Sequence, residues 1–498
     1  MSKNQAKKLP IQNHKVITRR DFIAQGGISS LGFVVAPTVL SMLTSIDARA
    51  QAACPSSAPV AGKMPVIIFD LAGGANIAGG DVIVGKAGGQ LDFLGADKYQ
   101  SLGQPNDQHP SLPGQMTTVN GAAAGAGLAF HTNSDILRGM RTTGMAALPN
   151  VDGIIFAGAS GDDTGNNPHN PIYWLNKAGA TGSIANIVGR SNSDSGGNAV
   201  APAMSYNPAV RSVQVLNPAA ARGLVQLGVV STLFTTGGLT NNAKLKKIIE
   251  AAEMTSGRKI ASFNSLDLSS QIKELVNCGF IDAKDLAGRF SQTAVDPASD
   301  AMVTQSFANL ANNSDQQATA SIAKLILDGY AGAGTVTIGG CDYHGNGRQS
   351  QAQKNNSVGE LIGSVFNLAR LKNKDIAVIV YSDGGVSSGI TVDNTAEGKG
   401  RFDFTSDSGQ RSAAVMMVYK RDGAPMLTDN TRQVGAYSDN GSVERTANQI
   451  SDNVVNLSKA FVANYLALHG EEGKLAQVVG TESLSGEMGK YVKFRKIR

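Results

Sequence analysis

The chain has 498 residues, with 44 basic and 39 acidic side chains, 42 % hydrophobic residues and 58 glycines. That length fits one large α/β domain or two or three ordinary ones, and the apolar share excludes a wholly disordered chain. Residues 1–50 hold seven basic and two acidic side chains, so residues 51–498 carry 37 of each; without the first segment no basic surplus remains to hold a phosphate backbone, which argues against nucleic-acid binding.

The first segment accounts for its own charge. In "TRRDFIAQGG" (18–27) adjacent arginines precede a large apolar residue by two positions, a moderately apolar stretch runs from Ile28 to Ile46, and Ala48-Arg49-Ala50 fits a small-x-small cleavage site. This resembles a twin-arginine export signal over residues 1–50, with the export machinery as partner and the periplasm or cell exterior as destination. Gly32 and Pro37 interrupt the stretch, which disfavours a permanent anchor. "QAAC" (51–54) offers a weaker variant, lipid attachment at Cys54, although Gln51 suits it poorly. No later run is apolar enough to span a membrane, and Cys54, Cys278 and Cys341 cannot all pair within one chain.

After a linker (51–63) the sequence predicts buried strands ending in polar, glycine-rich turns: "MPVIIFDLAGGAN" (64–76), "VDGIIFAGASGDD" (151–163), "TVTIGGCDYH" (335–344), "DIAVIVYSDGG" (375–385) and "SAAVMMVYK" (412–420). Continuous apolar runs of this kind suit strands covered on both faces. Helical patterns lie between or after them, at 242–255, 321–331, 358–372 and 454–470. The alternation predicts an α/β fold over 64–498, a mostly parallel central sheet with helices on both faces, and a largely helical insertion at about 202–331.

Ligands of open parallel sheets sit beyond the carboxyl ends of the strands. There the first strand delivers Asp70, with Asn76 and Asp81 in its loop. The second delivers Asp162, Asp163, Thr164 and then "NNPHNP" with His169. The third delivers Asp342 and His344, and the fourth Ser382 and Asp383. If the chain stays extended past Cys341, Asp342 and His344 point to the same side. Oxygen donors with a few imidazoles suit a divalent cation such as zinc, magnesium or calcium, which would polarise a phosphoryl or sulfuryl oxygen. Each residue also has a structural reading: strand-end aspartates cap helices or make turns, and His131 reads as a capping or packing residue.

Most of residues 51–498 resembles a group of twin-arginine-exported bacterial proteins of undefined function in the alkaline phosphatase and sulfatase superfamily. "FDLAGGAN" (69–76) is similar to its strand and Gly-Gly-x-Asp turn, "LAFHTN" (128–133) to a Leu-His-Pro element, and "PHNPIYWLNKAG" (168–179) to a hydroxyl- or Asn-His segment leading into a helix. "GGCDYHGN" (339–346) matches Gly-Gly-Trp-Asp-x-His, "YSDGG" (381–385) matches Ser-Glu-Phe-Gly, and "NLSKAFVANYLALHG" (456–470) matches the closing helix. The resemblance implies an alkaline-phosphatase-like fold and a metal-dependent hydrolase of phosphate or sulfate esters. Asp70, Asp342, His344 and Asp383 would be its metal ligands, His169 a ligand or substrate-orienting group, and Ser160 or Thr164 its nucleophile. The chain also departs from the family: Asp407-Ser408-Gly409 stands for Asp-His-Gly, Asn76 for the turn aspartate and Pro168 for a hydroxyl residue. Those departures leave a second expectation, a non-catalytic relative that binds or scaffolds in the cell envelope.

Overall fold

The computed structural model describes residues 63–160, 170–190, 212–225, 292–345, 348–382, 384–445, 449–452, 454–480, 484 and 488–497, together with 250 and 254. The chain divides into two compact units, one formed by Met1–Leu43 with Gln226–Arg289 and the other by Thr44–Val225 with Phe290–Arg498. The described strands and helices named below all lie in the second unit.

An eight-stranded sheet forms its centre. Five strands carry long apolar runs: β1 (Val66–Leu71), β2 (Val151–Ala157), β5 (Ala331–Ile338), β6 (Ile376–Ser382) and β9 (Ala413–Tyr419), all fully buried along their length. Shorter strands β3 (Ala185–Gly189), β4 (Ser212–Gln214) and β10 (Gln433–Val434) extend it. The spatial order is β10-β2-β9-β6-β1-β5-β3-β4. Seven of the eight run in one direction, and β9 alone opposes its neighbours β2 and β6. The fold is therefore α/β around a mostly parallel, mixed sheet. A separate antiparallel pair, β7 (Val386–Asp393) and β8 (Arg401–Asp407), leaves and returns between β6 and β9.

Strand alternation sends successive side chains to opposite faces. From β1, Ile67, Phe69 and Leu71 join one core, shared with helices α1 (Asp135–Gly144), α3 (Ser314–Leu327) and α4 (Arg348–Leu371). Val66 and Ile68 join the other, shared with α2 (Ile172–Lys177) and α5 (Val454–Ala467). Helices thus cover both faces.

Helices α1 and α4 approach until backbone meets backbone. A Cβ on Gly139 would fall 2.0 Å from the Asn356 carbonyl oxygen, and one on Gly359 2.1 Å from that of Ile136. Ser134 caps α1, accepting the Leu137 N–H at 3.1 Å and donating to Asp81 Oδ1 at 2.6 Å.

The apolar runs expected at 64–76, 151–163, 375–385 and 412–420 contain β1, β2, β6 and β9, and that at 335–344 overlaps β5. β5 begins earlier than its β-branched run, at Ala331; there Gly332 lies against Ala180 and Thr181, and Gly334 against Ile322 of α3. The helical patterns at 321–331, 358–372 and 454–470 fall within or overlap α3, α4 and α5, whereas that at 242–255 lies outside the described residues apart from Glu250 and Met254. Within the segment at about 202–331, β4, α3 and the start of β5 belong to the sheet-bearing unit, and residues 226–289 to the other. Among the described residues no helix is long and apolar enough to cross a membrane.

Candidate metal centre

β1, β2, β5 and β6 run the same way, so their carboxyl ends share one edge. The segments that follow β1 and β5 are tied together there. Ala72 donates its N–H to the Ile338 carbonyl (3.0 Å) and its own carbonyl accepts the Cys341 N–H (3.0 Å). Gly73 has a φ of 114°, and a Cβ on it would lie 2.4 Å from Asp342 N; a Cβ on Gly74 would lie 3.3 Å from Asp407 Oδ1. The bare turn leaves the space that both aspartates need. Ser382, at the end of β6, fixes the same turn: its Oγ accepts the Ala75 N–H (2.9 Å) and donates to the Gly73 carbonyl (2.6 Å).

Past Ile338 the chain leaves regular strand, yet burial still alternates. Cys341 and Tyr343 are buried while Asp342 and His344 are exposed. The Tyr343 hydroxyl donates to Asn355 Oδ1 at 2.7 Å, so two inward anchors hold two outward polar groups. Asp407 reaches the same place from another direction. It ends β8 opposite Val386, the first residue of β7, and Ser408 N–H donates to the Gly385 carbonyl at 2.8 Å. The excursion that starts at the carboxyl end of β6 therefore returns to it.

His344 Nδ1 lies in direct hydrogen-bond contact with Asp342 Oδ1 and 2.9 Å from Asp407 Oδ1. One ligand atom from each of the three residues falls within 4.8 Å of the other two. Donors that sit ~2.0–2.2 Å from zinc or ~2.3–2.6 Å from calcium are at most about 4–5 Å apart, so the spacing fits one cation. Two carboxylates and an imidazole suit zinc and other borderline divalent ions, and a purely oxygen-preferring ion less well. The Asp342, His344 and Asp407 side chains are 50 %, 44 % and 38 % exposed, which leaves their solvent side open to further ligands. A metal ligand must be deprotonated, so a cation bound there displaces any proton from the coordinating nitrogen.

Of the other expected site residues, Asp70 and Ser160 are described. Asp70 is fully buried within β1, opposite Thr337 and Tyr381, and accepts a 3.3 Å hydrogen bond from Thr337 Oγ1. It does not belong to the Asp342–His344–Asp407 group. The reason is periodicity: it alternates onto the face of Val66 and Ile68. Ser160 follows β2, is buried, and donates its N–H to the Gly409 carbonyl at 2.7 Å. Thr164, His169 and Asp383 lie outside the described residues. Asp81 is structural: its Oδ1 accepts the Ile136 N–H (2.8 Å) and its Oδ2 the Asn355 amide (2.6 Å), with burial, then Asp135, raising its carboxyl above the usual range. Asp407, not among the expected ligands, was visible only as the first residue of the Asp-Ser-Gly departure.

No protein-family model matches the chain, and a comparison with curated proteins finds no match.

Proposed function

We propose that this protein is an exported hydrolase of phosphate or sulfate esters that depends on a divalent cation held by Asp342, His344 and Asp407. The observation that carries this reading is the meeting of those three side chains, from two distant segments, at the carboxyl edge of parallel strands. A cation bound there would supply Lewis-acid polarisation of a phosphoryl or sulfuryl oxygen. Two carboxylates balance a dication, so the loaded centre presents no net negative charge to repel an anionic ester. Ser160, whose backbone joins Gly409 two residues beyond Asp407, is the hydroxyl this reading assigns to attack.

The chain from residue 51 onward, loaded with zinc, magnesium or calcium, tests the reading through calorimetric binding and turnover of p-nitrophenyl phosphate and p-nitrophenyl sulfate. The expected result is one cation per chain, bound at least about tenfold more weakly after Asp342→Asn or Asp407→Asn, with cation-dependent turnover lost in both. No binding, or turnover indifferent to Asp407→Asn, would contradict it. Ser408, and Asp70 standing apart from the group, favour a second reading as an envelope protein that binds a cation without turnover. Binding without hydrolysis of either ester selects that reading.

A further inference from the structure

The first turns of α4 bury a polar stripe. Arg348, Gln351 and Asn355 recur on one face and are 0 %, 3 % and 1 % exposed. They meet the loop after β1 and the turn at Leu102–Gln104. Gln351 Nε2 donates to the Asn76 carbonyl (3.4 Å), Asn76 Nδ2 to the Leu102 carbonyl (3.1 Å), and Gln104 Nε2 to the Gly79 carbonyl (2.5 Å). Arg348 Nη1 would lie 3.0 Å from a Cβ on Gly103, and its guanidinium carbon sits 4.5 Å over the Phe404 ring.

In this buried cluster Nε, Nη1 and Nη2 of Arg348 have no hydrogen-bond partner, and neither do Asn76 Oδ1, Gln104 Oε1 and Gln351 Oε1. The three amide nitrogens already serve backbone carbonyls, so their oxygens are fixed as acceptors. The carboxylates whose fields reach Arg348 include Asp393, which accepts the Thr395 N–H at 2.8 Å, and none of them is a hydrogen-bond partner of the guanidinium. Asp81 holds Ser134, Ile136 and Asn355; Asp135 pairs with Arg401 at 2.7 Å and Lys399 at 2.8 Å; Asp403 takes the Arg348 backbone N–H at 3.4 Å. A buried guanidinium left without a charge-bearing acceptor is among the costliest arrangements a protein can hold. The occupant that answers both needs brings negative charge for Arg348 and a hydroxyl proton for one of the amide oxygens.

We propose that Arg348, with Asn76, Gln104 and Gln351, encloses a small oxyanion that retains a proton, of the hydrogenphosphate class. Sulfate offers the charge without the donor, and chloride offers neither the donor nor the fork geometry that guanidinium matches. The site is separate from the Asp342–His344–Asp407 centre and does not depend on the hydrolase reading.

The test uses the full chain, purified without phosphate. Equilibrium dialysis against radiolabelled inorganic phosphate, and thermal melts in phosphate, sulfate or chloride at matched ionic strength, give the readouts. Expected are one phosphate per chain, a melting temperature that climbs with phosphate concentration, and at least about tenfold weaker binding of sulfate. Arg348→Met, which removes the unpaired charge, should melt independently of phosphate. Wild-type protein that takes up no phosphate and melts alike in all three salts holds buried water only, and overturns the proposal. Sulfate binding as tightly as phosphate, or uptake unchanged in Arg348→Met, overturns it too.

Discussion

His131 shows how a single side chain couples the fold to pH. It is buried between Tyr99, whose ring centroid is 5.9 Å away, and the polar interior around Arg401 and Arg348. Burial first, then those two guanidinium groups and the His109 ring, push its imidazole down to about 3. A base with a depressed folded value stays neutral in the native protein while the unfolded chain takes up a proton below about 6.5. Stability therefore rises with pH across the window from about 3 to about 6.5, and falls as pH drops through it. Melts from pH 7 to pH 4 should show His131→Gln losing up to about 1.4 kcal/mol per pH unit of the wild-type slope; an unchanged slope would contradict the assignment. At this scale the sequence was partly legible. Asp342 and His344 announced themselves, because an Asp-x-His after a glycine-ended strand places two polar groups on one side, and the alternation with buried Cys341 and Tyr343 shows why. Asp407 was not legible as a ligand: its position depends on a strand pair that leaves the sheet and comes back. Arg348 carried no signal either, since one arginine opening a helix looks like any other until its surroundings are known.

At the scale of elements, the contact between α1 and α4 decides how the first helical layer sits on the sheet. Glycine is a poor helix former, so Gly359→Ala in isolation would favour α4 by about 1 kcal/mol. In the folded chain the added methyl would meet the Ile136 carbonyl at 2.1 Å, and on the facing helix Gly139 leaves the same lack of room. The clash should win, with Gly359→Ala lowering unfolding free energy in urea by about 2 kcal/mol or more. A more stable variant would show that the helices stand further apart. The five long strands were readable because a strand covered on both faces needs an uninterrupted apolar run. The direction of β9 was not, since a buried antiparallel strand in the middle of a sheet carries the same run as a parallel one. The missing cue lies upstream, where a crossover helix would otherwise return the chain: β7 is half-exposed or exposed after Val386, and β8 is exposed from Thr405 to Asp407.

At the scale of the molecule, the sheet gathers what the sequence scatters. β1 supplies a glycine turn, β5 a pair of donors, and the β7–β8 excursion a third donor, all at one edge. Asp70, close to that edge in sequence, is fully buried and alternates onto the face of Val66 and Ile68, apart from the Asp342–His344–Asp407 group among the described residues. The central claim is that the gathered trio binds one divalent cation, and anomalous diffraction from crystals soaked in zinc tests it most directly. The account predicts one strong peak within about 2.0–2.2 Å of His344 nitrogen and of carboxylate oxygens from Asp342 and Asp407. Fully soaked crystals with no peak at that position, or with the same peak in Asp407→Asn and His344→Gln crystals, would contradict it.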